Sequence, residues 1–479
     1  MKNQLLATIL LLLMGSGSYT SVWSQVFRQI EGPFSEMKGD SRSVNFIDIN
    51  NDDWPDIYIS NGKKGGQSDV LFINLGKGKL KILWEGLQGQ KAKPSDGASF
   101  ADLNQDGFVD GVVSSWYDVQ DELLWNNPER PGFTSEVQNP LQASFGETAI
   151  IGDYDQDSHP DIYVTNSGGT LFNLLYRNQG DGSFALVENH TLTQGKKASR
   201  GATWGDFNGD GYSDLFICNE GEASNDLYWG KGGGKFDLQT EGALVRTKSS
   251  SITASWGDID NDGDLDVFVG NAGYFAPQTN QLFINEGGIF VPKENSPLSQ
   301  EADCVFGSAF ADFDNDGDLD LAISRGYCPS GLKNALYENQ GDGSFKEVSH
   351  LLDADNKEQC SYGVAWGDIN RDGFLDLVVA NCKNRATDEE PGNTLLLNPG
   401  NQNNWIALKL IGKAPNTSAL GTRVKLKALI DGKEVWQMRE LQSQSGYAGQ
   451  NSMILHFGLG QARRIDYLEV NWTDGKKEV

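Results

Sequence analysis

Short apolar runs separated by polar, glycine-rich turns recur along the chain from about residue 40 to residue 400. In one period, residues 307–311 are small or aromatic, residues 319–324 are largely apolar, residues 335–341 end in Asn-Gln-Gly, and a further run begins at Ser344. Runs of this length bounded by turn residues predict β-strands. The pattern therefore predicts an all-β chain with four strands in each period.

A nine-residue acidic loop lies between the first and second strands of each period, and the chain holds seven copies of it. Loops 1 to 7 follow one another at spacings of 54, 51, 53, 52, 54 and 56 residues; their first residues are Asp48, Asp102, Asp153, Asp206, Asp258, Asp312 and Asp368. Four strands in a period of this length match one blade of a β-propeller. We predict a seven-bladed β-propeller over residues 25–402.

The two ends of the repeat array predict how the ring closes. The seventh period has a third strand at residues 393–398 but no Gly-Asp-Gly-Ser-Phe and therefore no fourth strand. Residues 26–30 resemble residues 344–348, which begin a fourth strand elsewhere. We expect this N-terminal segment to complete the last blade, which leaves no exposed sheet edge at the closure.

From residue 403 to residue 479 the repeat is replaced by alternating segments typical of half-buried strands, such as residues 405–411, 424–428 and 434–438. This predicts a small antiparallel β domain. Asp474-Gly475 predicts a turn into another strand just before the chain stops at Val479. Either the sequence is truncated there or its last strand is very short.

The charge and the N-terminus narrow the class of protein. Lys and Arg total 39 and Asp and Glu 66, so the net charge is 39 − 66 = −27, which disfavours nucleic acid and favours divalent cations as partners. Lys2, the apolar residues 5–14 and a cleavage site before Gln25 predict a signal peptide over residues 1–24. Ten apolar residues are too few to span a bilayer, and no later segment is long enough. We expect a secreted protein, extracellular or periplasmic, with no transmembrane segment.

Each acidic loop carries Asp or Asn at positions 1, 3, 5 and 9 and usually Gly at position 6. Calcium prefers six to eight oxygen ligands, and alternate side chains of a curled loop, with one backbone carbonyl, can supply them. One such loop could equally be an Asx-rich turn, but seven at one period favour calcium. We predict up to seven Ca²⁺ ions. The predicted ligands are Asp48, Asn50, Asp52 and Asp56; Asp102, Asn104, Asp106 and Asp110; Asp153, Asp155, Asp157 and Asp161; Asp206, Asn208, Asp210 and Asp214; Asp258, Asp260, Asp262 and Asp266; Asp312, Asp314, Asp316 and Asp320; and Asp368, Asn370, Asp372 and Asp376.

Loops 1 and 3 depart from the pattern. They carry Asp53 and Ser158 in place of Gly at position 6, and Pro55 and Pro160 two residues later. Residues other than Gly resist a positive φ. We expect these two loops to bind calcium most weakly or to stay empty.

The strand order places the seven loops on one face of the predicted propeller together with the Gly-Asp-Gly turns. The longer and more variable connections lie on the opposite face; they carry Trp116, Tyr117, Tyr274, Phe275, Arg325 and Tyr327. Variable loops on a rigid scaffold commonly recognise partners. Local packing of these side chains is the alternative for each of them.

Two cysteine pairs flank the same hairpins. Cys304 and Cys360 precede the first strands of periods 6 and 7, and Cys328 and Cys382 follow the second strands. We predict disulfides Cys304–Cys328 and Cys360–Cys382 on the face opposite the acidic loops, and a free, buried thiol at Cys218.

No catalytic or organic-cofactor motif stands out. The four His residues share no metal-ligand spacing, and the acidic repeat already accounts for the paired carboxylates. We predict no enzyme activity. A carbohydrate-active hydrolase or lyase whose site is built from distant loop residues stays open as the alternative.

Two sets of motifs resemble known families. The acidic loops and the segment Leu336-Tyr-Glu-Asn-Gln-Gly-Asp-Gly-Ser-Phe345 resemble the FG-GAP (VCBS-type) repeats of integrin α-chain propellers. The tail resembles the ASPIC/UnbV domain through Leu420-Gly-Thr-Arg-Val424, Ser445-Gly-Tyr-Ala-Gly-Gln450 and His456-Phe-Gly-Leu-Gly460, although Thr473 and Asp474 stand where that domain commonly has Pro and Ser. Together they suggest the cartilage acidic protein family and its bacterial relatives.

That resemblance implies calcium ligands at positions 1, 3, 5 and 9 of each loop and a role in extracellular adhesion or protein interaction. We therefore expect a non-enzymatic, calcium-stiffened scaffold that binds an extracellular protein or glycan through the face opposite the loops. A purely structural, matrix-like role is a further possibility. The sequence indicates neither the ligand nor the oligomeric state.

Overall fold

The computed structural model of the chain describes residues 10–12, 26–85, 92–127, 129, 132–135, 139–273, 276–300, 302–329, 331–352, 357–385 and 387–479. The described residues form an all-β structure with only five short helical turns. These are Pro33–Glu36, Thr191–Thr193, Ala243–Arg246, Pro297–Ser299 and Ser349–Leu351. None of the described helices has the length and hydropathy needed to cross a membrane.

Around each of the seven acidic loops lie four antiparallel strands, which form sheets 1 to 7; sheet 1 also takes a fifth, parallel strand from the tail. In chain order, sheet 1 is Ser41–Ile47, Asp56–Asn61, Val70–Asn74 and Leu80–Glu85; sheet 2 is Ser95–Ala101, Asp110–Ser115, Glu122–Asn126 and Phe133–Ser135; sheet 3 is Gly146–Gly152, Asp161–Asn166, Leu174–Asn178 and Phe184–Leu186; sheet 4 is Ser199–Gly205, Asp214–Asn219, Asp226–Gly230 and Phe236–Leu238; sheet 5 is Ser251–Gly257, Asp266–Asn271, Gln281–Asn285 and Phe290–Pro292; sheet 6 is Val305–Ala311, Asp320–Arg325, Ala335–Asn339 and Phe345–Glu347; and sheet 7 is Ser361–Gly367, Asp376–Asn381, Thr394–Leu397 and Arg28–Gln29.

The first strands of the seven sheets contact one another in cyclic order, and the first strand of sheet 7 contacts that of sheet 1. They surround a central channel. Apolar side chains fill the spaces between neighbouring sheets, as in the cluster of Ala309, Leu336 and Trp366 between sheets 6 and 7. We call the face that carries loops 1 to 7 the loop face and the opposite one the far face.

The N-terminal segment pairs where the sequence predicts. Arg28 pairs with Leu397 and Gln29 with Leu396, so this strand is the outer strand of sheet 7. Phe27 is 1% exposed and lies 5.9 Å from the Phe313 ring and 6.1 Å from Trp366, measured between ring centroids.

Three two-stranded ribbons join neighbouring sheets: Val119–Gln120 with Ala143–Ser144, Ala223–Ser224 with Lys248–Ser249, and Gln278–Thr279 with Ala302–Asp303.

The tail consists of two sheets packed around its own apolar core. One contains Leu10–Leu12, Asn404–Lys409 and Ile454–Gly460; the other contains Lys433–Glu440, Arg423–Ile430, Ile465–Asn471 and Lys477–Glu478. The strand that follows Asp474-Gly475 is Lys477–Glu478. Of the predicted signal segment, only Leu10–Leu12 belongs to the described residues.

The tail lies on the loop face and sends residues 443–451, the channel segment, into the central channel. Its strand Gly449–Gln450 pairs in parallel with Ser41–Ile47, and the Gln450 side chain bonds both the backbone nitrogen and the oxygen of Phe100. The Ser445 carbonyl accepts a hydrogen bond from Ser255 Oγ at 2.8 Å. The sequence does not predict this insertion.

Two glycines allow the channel segment to fit. A Cβ added at Gly446 or at Gly449 would lie 2.2 Å from the backbone oxygen of Ser308 or of Val364. Such an approach is closer than any side chain permits, so only Gly passes the channel wall at these points.

We predict that the N-terminal strand is a structural part of the ring. Phe27→Ala should lower the free energy of unfolding by about 3–5 kcal/mol, because it removes a buried aromatic side chain. Arg28→Ala, which changes the exposed neighbour, should have little effect. Urea unfolding of both variants measures this, and equal, small losses would contradict the closure.

Candidate calcium centres

Five of the seven acidic loops share one hydrogen-bond pattern that curls them inward. In loop 7, Asp368 Oδ1 accepts from the backbone nitrogen of Asp372 at 3.0 Å, and its Oδ2 accepts from that of Gly373 at 2.8 Å. The same two bonds occur in loops 1, 2, 4 and 6. The third residue also accepts from the fifth, as Asn370 does from Asp372. The side chains at positions 1, 3 and 5 therefore lie on the inside of these five loops.

The Asp at position 9 ties each loop to the third strand of its sheet. Asp376 is buried; its Oδ2 accepts from the Ile369 nitrogen at 3.0 Å and its Oδ1 from the Asn398 nitrogen at 2.8 Å. Equivalent pairs of bonds are present in the other six loops. Position 9 thus holds the loop in shape as well as offering a carboxylate to a metal.

Three loops bring carboxylate oxygens within 4.8 Å of one another. The groups are Asp153, Asp155 and Asp161 in loop 3; Asp258, Asp260 and Asp262 in loop 5; and Asp312, Asp314 and Asp316 in loop 6. Among the described residues, loops 1, 2, 4 and 7 form no such group, and all four carry Asn at position 3. At the four ligand positions, each of those loops therefore offers one carboxylate fewer than loops 3, 5 and 6.

The chemistry of these groups fits a divalent cation. In loop 5, Asp258 is buried, and none of the described residues donates a well-placed hydrogen bond to its two oxygens or to Oδ1 of Asp260. Burial raises the pKa of Asp153, Asp258 and Asp368 to about 7. Holding such carboxylates ionised at neutral pH opposes folding unless a cation compensates them. When bound, calcium would supply that positive charge, with oxygen ligands of the preferred kind.

The backbone explains the departures in loops 1 and 3. Asp53 and Ser158 adopt φ of 65° and 70°, the positive values that Gly accepts without strain. The residue at position 4 of a loop also has a positive φ: 66° at Gln105, 61° at Gln156 and 57° at Arg371. The sequence does not indicate this conformation.

Loops 1 and 3 each hold a cationic side chain of the protein. Lys409 Nζ lies 2.5 Å from Asp53 Oδ1 and 3.4 Å from Asp48 Oδ2 in loop 1. Arg177 contacts Asp155 at 2.7 Å and Asp157 at 2.8 Å in loop 3. An ammonium group on its first carboxylate makes loop 1 the poorest match to calcium. The partly exposed Arg177 leaves the loop 3 carboxylates convergent.

The tail also contacts most of the other loops. Thr417 donates to Asp102 in loop 2, Arg423 lies 3.3 Å from Asp206 in loop 4, and the Gly458 nitrogen donates to Asp312 in loop 6. These contacts join residues far apart in sequence, so loop spacing gives no hint of them.

A further set of residues, missed by the sequence reasoning, links each sheet to the one before it. Asn126 at the end of a third strand donates through Nδ2 to the Ile49 carbonyl of loop 1, and Asn74 donates to Ile369 of loop 7 and so closes the ring. Asn178, Asn285, Asn339 and Asn398 make the equivalent bonds. Gly230 stands at this position in sheet 4. The repeated Asn could have been noted in the sequence, where it indicates only a turn.

The far face holds the other predicted residues. Trp116 and Tyr117 pack edge to face at 4.7 Å, and Tyr117 is 38% exposed. Tyr327 is buried against Phe306, as the local-packing alternative expects, and Arg325 pairs with Asp303 at 2.7 Å. Tyr274 and Phe275 lie outside the described residues.

The predicted disulfides are confirmed. Cys304 bonds Cys328 and Cys360 bonds Cys382, while Cys218 is a free, buried thiol.

Comparison with protein families identifies both parts of the chain. A model of the FG-GAP-like repeat matches residues 48–113, 153–217, 206–269, 258–323 and 327–379, which together exceed half of the chain. A model described as ASPIC and UnbV matches residues 412–479.

Individual relatives are distant. The chain is 25% identical over 336 residues to cartilage acidic protein 1 of Xenopus tropicalis, covering 69% of this chain and 42% of that protein. It is 27% identical over 337 residues to the Homo sapiens protein, covering 69% and 41%. The chain thus spans about two fifths of the length of the curated relatives it matches. A crystal structure of BBS1N in complex with ARL6DN has a TM-score of 0.47 at 11% identity, covering 79% of this chain and 98% of that one.

We predict that loop 6 contributes to stabilisation by calcium and that loop 1 does not. A metal at 100 times its dissociation constant adds about 2.7 kcal/mol to folding stability, so chelation should lower the melting temperature of the parent protein. Asp316→Asn in loop 6 should remove part of this calcium effect. In excess chelator it should melt no lower than the parent, because one repelling carboxylate is gone.

Asp52→Asn, at the same position in loop 1, is the matched control and should leave the calcium effect unchanged. Melting curves in excess calcium and in excess chelator measure both variants. Two results would contradict the assignment of calcium to loop 6 and not to loop 1. One is a parent melting temperature that is the same in calcium and in chelator, and the other is identical behaviour of the two variants.

Proposed function

Because the chain belongs to the family of FG-GAP-like repeat proteins and carries a C-terminal ASPIC/UnbV domain, we propose that it is a secreted, calcium-binding, non-enzymatic interaction scaffold. In this proposal the seven sheets are the blades of a seven-bladed propeller closed by the N-terminal strand. The far face binds an extracellular protein or glycan. Calcium stiffens the loops, and the tail fixes the ring.

The position of the tail carries the proposal. It sits on the loop face, with Lys409, Thr417 and Arg423 on loops 1, 2 and 4. A large partner therefore meets less obstruction on the far face. Connections on that face are also the ones that vary most in length and sequence, as expected of a recognition surface.

An aromatic patch on the far face suits a partner. Tyr117 is exposed, Trp116 packs against Phe145 at 5.2 Å, and the Lys64 ammonium lies 5.4 Å from the centroid of the Tyr117 ring. Tyr117 and Asp118 both have positive φ, 64° and 59°. Non-Gly residues held in such conformations are concentrated at functional sites.

A catalytic role has less support. The far end of the channel contains two buried carboxylates, Asp96 and Glu147, and burial together with Glu147 raises the pKa of Asp96. The Tyr447 hydroxyl of the channel segment lies 3.1 Å from Asp96 Oδ1 and 2.6 Å from Glu147 Oε2 and donates its one proton to either of them, and Arg200 pairs with Glu147 at 2.5 Å. Their mutual contacts leave this pair enclosed by protein groups, whereas acid–base catalysis requires contact with substrate.

Two disulfides support export, since such bonds persist in oxidising compartments.

We predict that the far face determines binding. On a panel of immobilised extracellular glycans and matrix proteins in calcium, Tyr117→Ala should weaken retention of the parent's partner at least about tenfold, as for an aromatic anchor. Trp436→Ala changes a tail residue of similar exposure, 40%, and should not. Surface plasmon resonance measures both.

Two results would contradict the proposal. One is loss of binding in Trp436→Ala but not in Tyr117→Ala. The other is turnover of a polysaccharide by the parent that Glu147→Gln abolishes, which would favour a carbohydrate-active enzyme.

A further inference from the structure

The tail places a buried cation, Arg439, between loops 5 and 6. Arg439 belongs to the strand Lys433–Glu440 and is 9% exposed. It lines a cavity of about 120 Å³ together with Asp312 of loop 6 and with Gly257, the residue before loop 5. An arginine side chain stays charged in proteins. Because little water screens a charge in such a position, it acts strongly on the groups around it.

Uncharged groups of the tail hold Arg439 in place. Its Nη1 donates to the Met438 carbonyl at 3.0 Å, and its Nη2 donates to Gln437 Oε1 at 3.3 Å. The guanidinium carbon lies 5.3 Å from the centroid of the Phe457 ring. Among the described residues, Arg439 forms no ion pair within 4.0 Å. Its charge therefore acts on the acidic loops without occupying any of their ligand oxygens.

The two loops beside Arg439 are rich in negative charge. Loops 5 and 6 each carry Asp at all four ligand positions, and in each loop three of these carboxylates have oxygens within 4.8 Å of one another. Burial raises the pKa of Asp258 to about 7, and the charge of Arg439 is among the influences that oppose this rise. Burial and Asp314 raise the pKa of Asp312, and Arg439 opposes that rise as well. One side chain of the tail thus stabilises ionised carboxylates in two loops.

The same charge opposes a metal ion in either loop. A fixed cation stabilises ionised carboxylates while no metal is present, and it repels a divalent cation that binds them. Because Arg439 contacts none of the ligand oxygens, it lowers the affinity of the sites without blocking them. Loops 5 and 6 therefore fill at higher calcium concentrations than their four carboxylates alone would require.

We propose that Arg439 sets the calcium affinity of loops 5 and 6. This inference rests on the calcium binding included in the proposed function, but it concerns the tail and not the far face. The effect is reciprocal, because a docked tail that weakens calcium binding is itself docked less strongly when calcium is bound. The tail thereby moves the two loops toward the dissociation constants of roughly 10⁻⁴–10⁻³ M that are typical of extracellular calcium modules.

The calcium occupancy of individual loops in the full-length chain tests the proposal. Anomalous scattering from crystals of the parent and of Arg439→Met, equilibrated at a series of calcium concentrations, gives the concentration at which each loop is half filled. We expect this concentration to fall at least about tenfold for loops 5 and 6 in Arg439→Met, because the repelling charge is gone. Loop 2 lies on the opposite side of the ring and should fill at the same concentration in both proteins.

Two further variants separate the charge of Arg439 from its packing. Arg439→Lys keeps the positive charge and should leave loops 5 and 6 close to the parent affinity, whereas a packing effect would shift the Lys and Met variants alike. Arg464→Met removes an arginine of the tail whose side chain is 84% exposed, and it should change no loop. In solution, the rise in melting temperature on adding calcium should be larger in Arg439→Met than in the parent, since tighter binding stabilises more.

Two results would overturn the role of Arg439. One is unchanged filling of loops 5 and 6 in a folded Arg439→Met protein, and the other is an equal gain in affinity in the Met and Lys variants. If Arg439→Met does not fold, Arg439→Gln, which is neutral and can still donate to the Met438 carbonyl, is measured with the same expectation. Either of these results with calcium present in loop 2 leaves the calcium binding of the proposed function intact, whereas no calcium in any loop would overturn both.

Discussion

Concentrated negative charge on one face of the molecule is the constraint that governs the rest of the structure. Each of the seven loops brings up to four carboxylates to a single turn. Buried carboxylates such as those of Asp258 and Asp376 are not solvated by water, so their charge is costly. Backbone N–H groups meet part of this charge at the first and ninth positions. Side chains of the protein, or metal ions when bound, would offset the remainder.

The tail supplies part of the positive charge that the acidic loops attract. This attraction accounts for its position on the loop face. Lys409 and Arg423 place positive charge on loops 1 and 4, and the channel segment then extends between the first strands to Tyr447 at the far end. The seven sheets and the tail consequently share one interface that runs the length of the channel. The far face is left free of the tail, and Tyr117 is exposed there.

Features encoded locally could be predicted from the sequence, and features set by long-range docking could not. The acidic loops, the paired cysteines and the closing strand at Arg28 each rest on a repeated pattern. The contact of Lys409 with Asp48 spans residues 361 apart and depends on how the tail docks. In the sequence, Gly446 looks like any other loop glycine. Its requirement for Gly comes from the backbone of Ser308, which packs against it only in the folded protein. The Asn126 bond to Ile49 was hidden because its motif indicates a turn.

Calcium occupancy of the individual loops tests the central claim most directly, namely that each acidic loop is neutralised either by metal or by a side chain of the protein. Anomalous scattering from crystals equilibrated at a series of calcium concentrations gives that occupancy loop by loop. The account predicts that loops 2, 5, 6 and 7 fill first, while loop 1, which holds Lys409, loop 3, which holds Arg177, and loop 4, which holds Arg423, fill last or stay empty. Loop 1 filling together with loop 5, or no calcium in any loop, would contradict it.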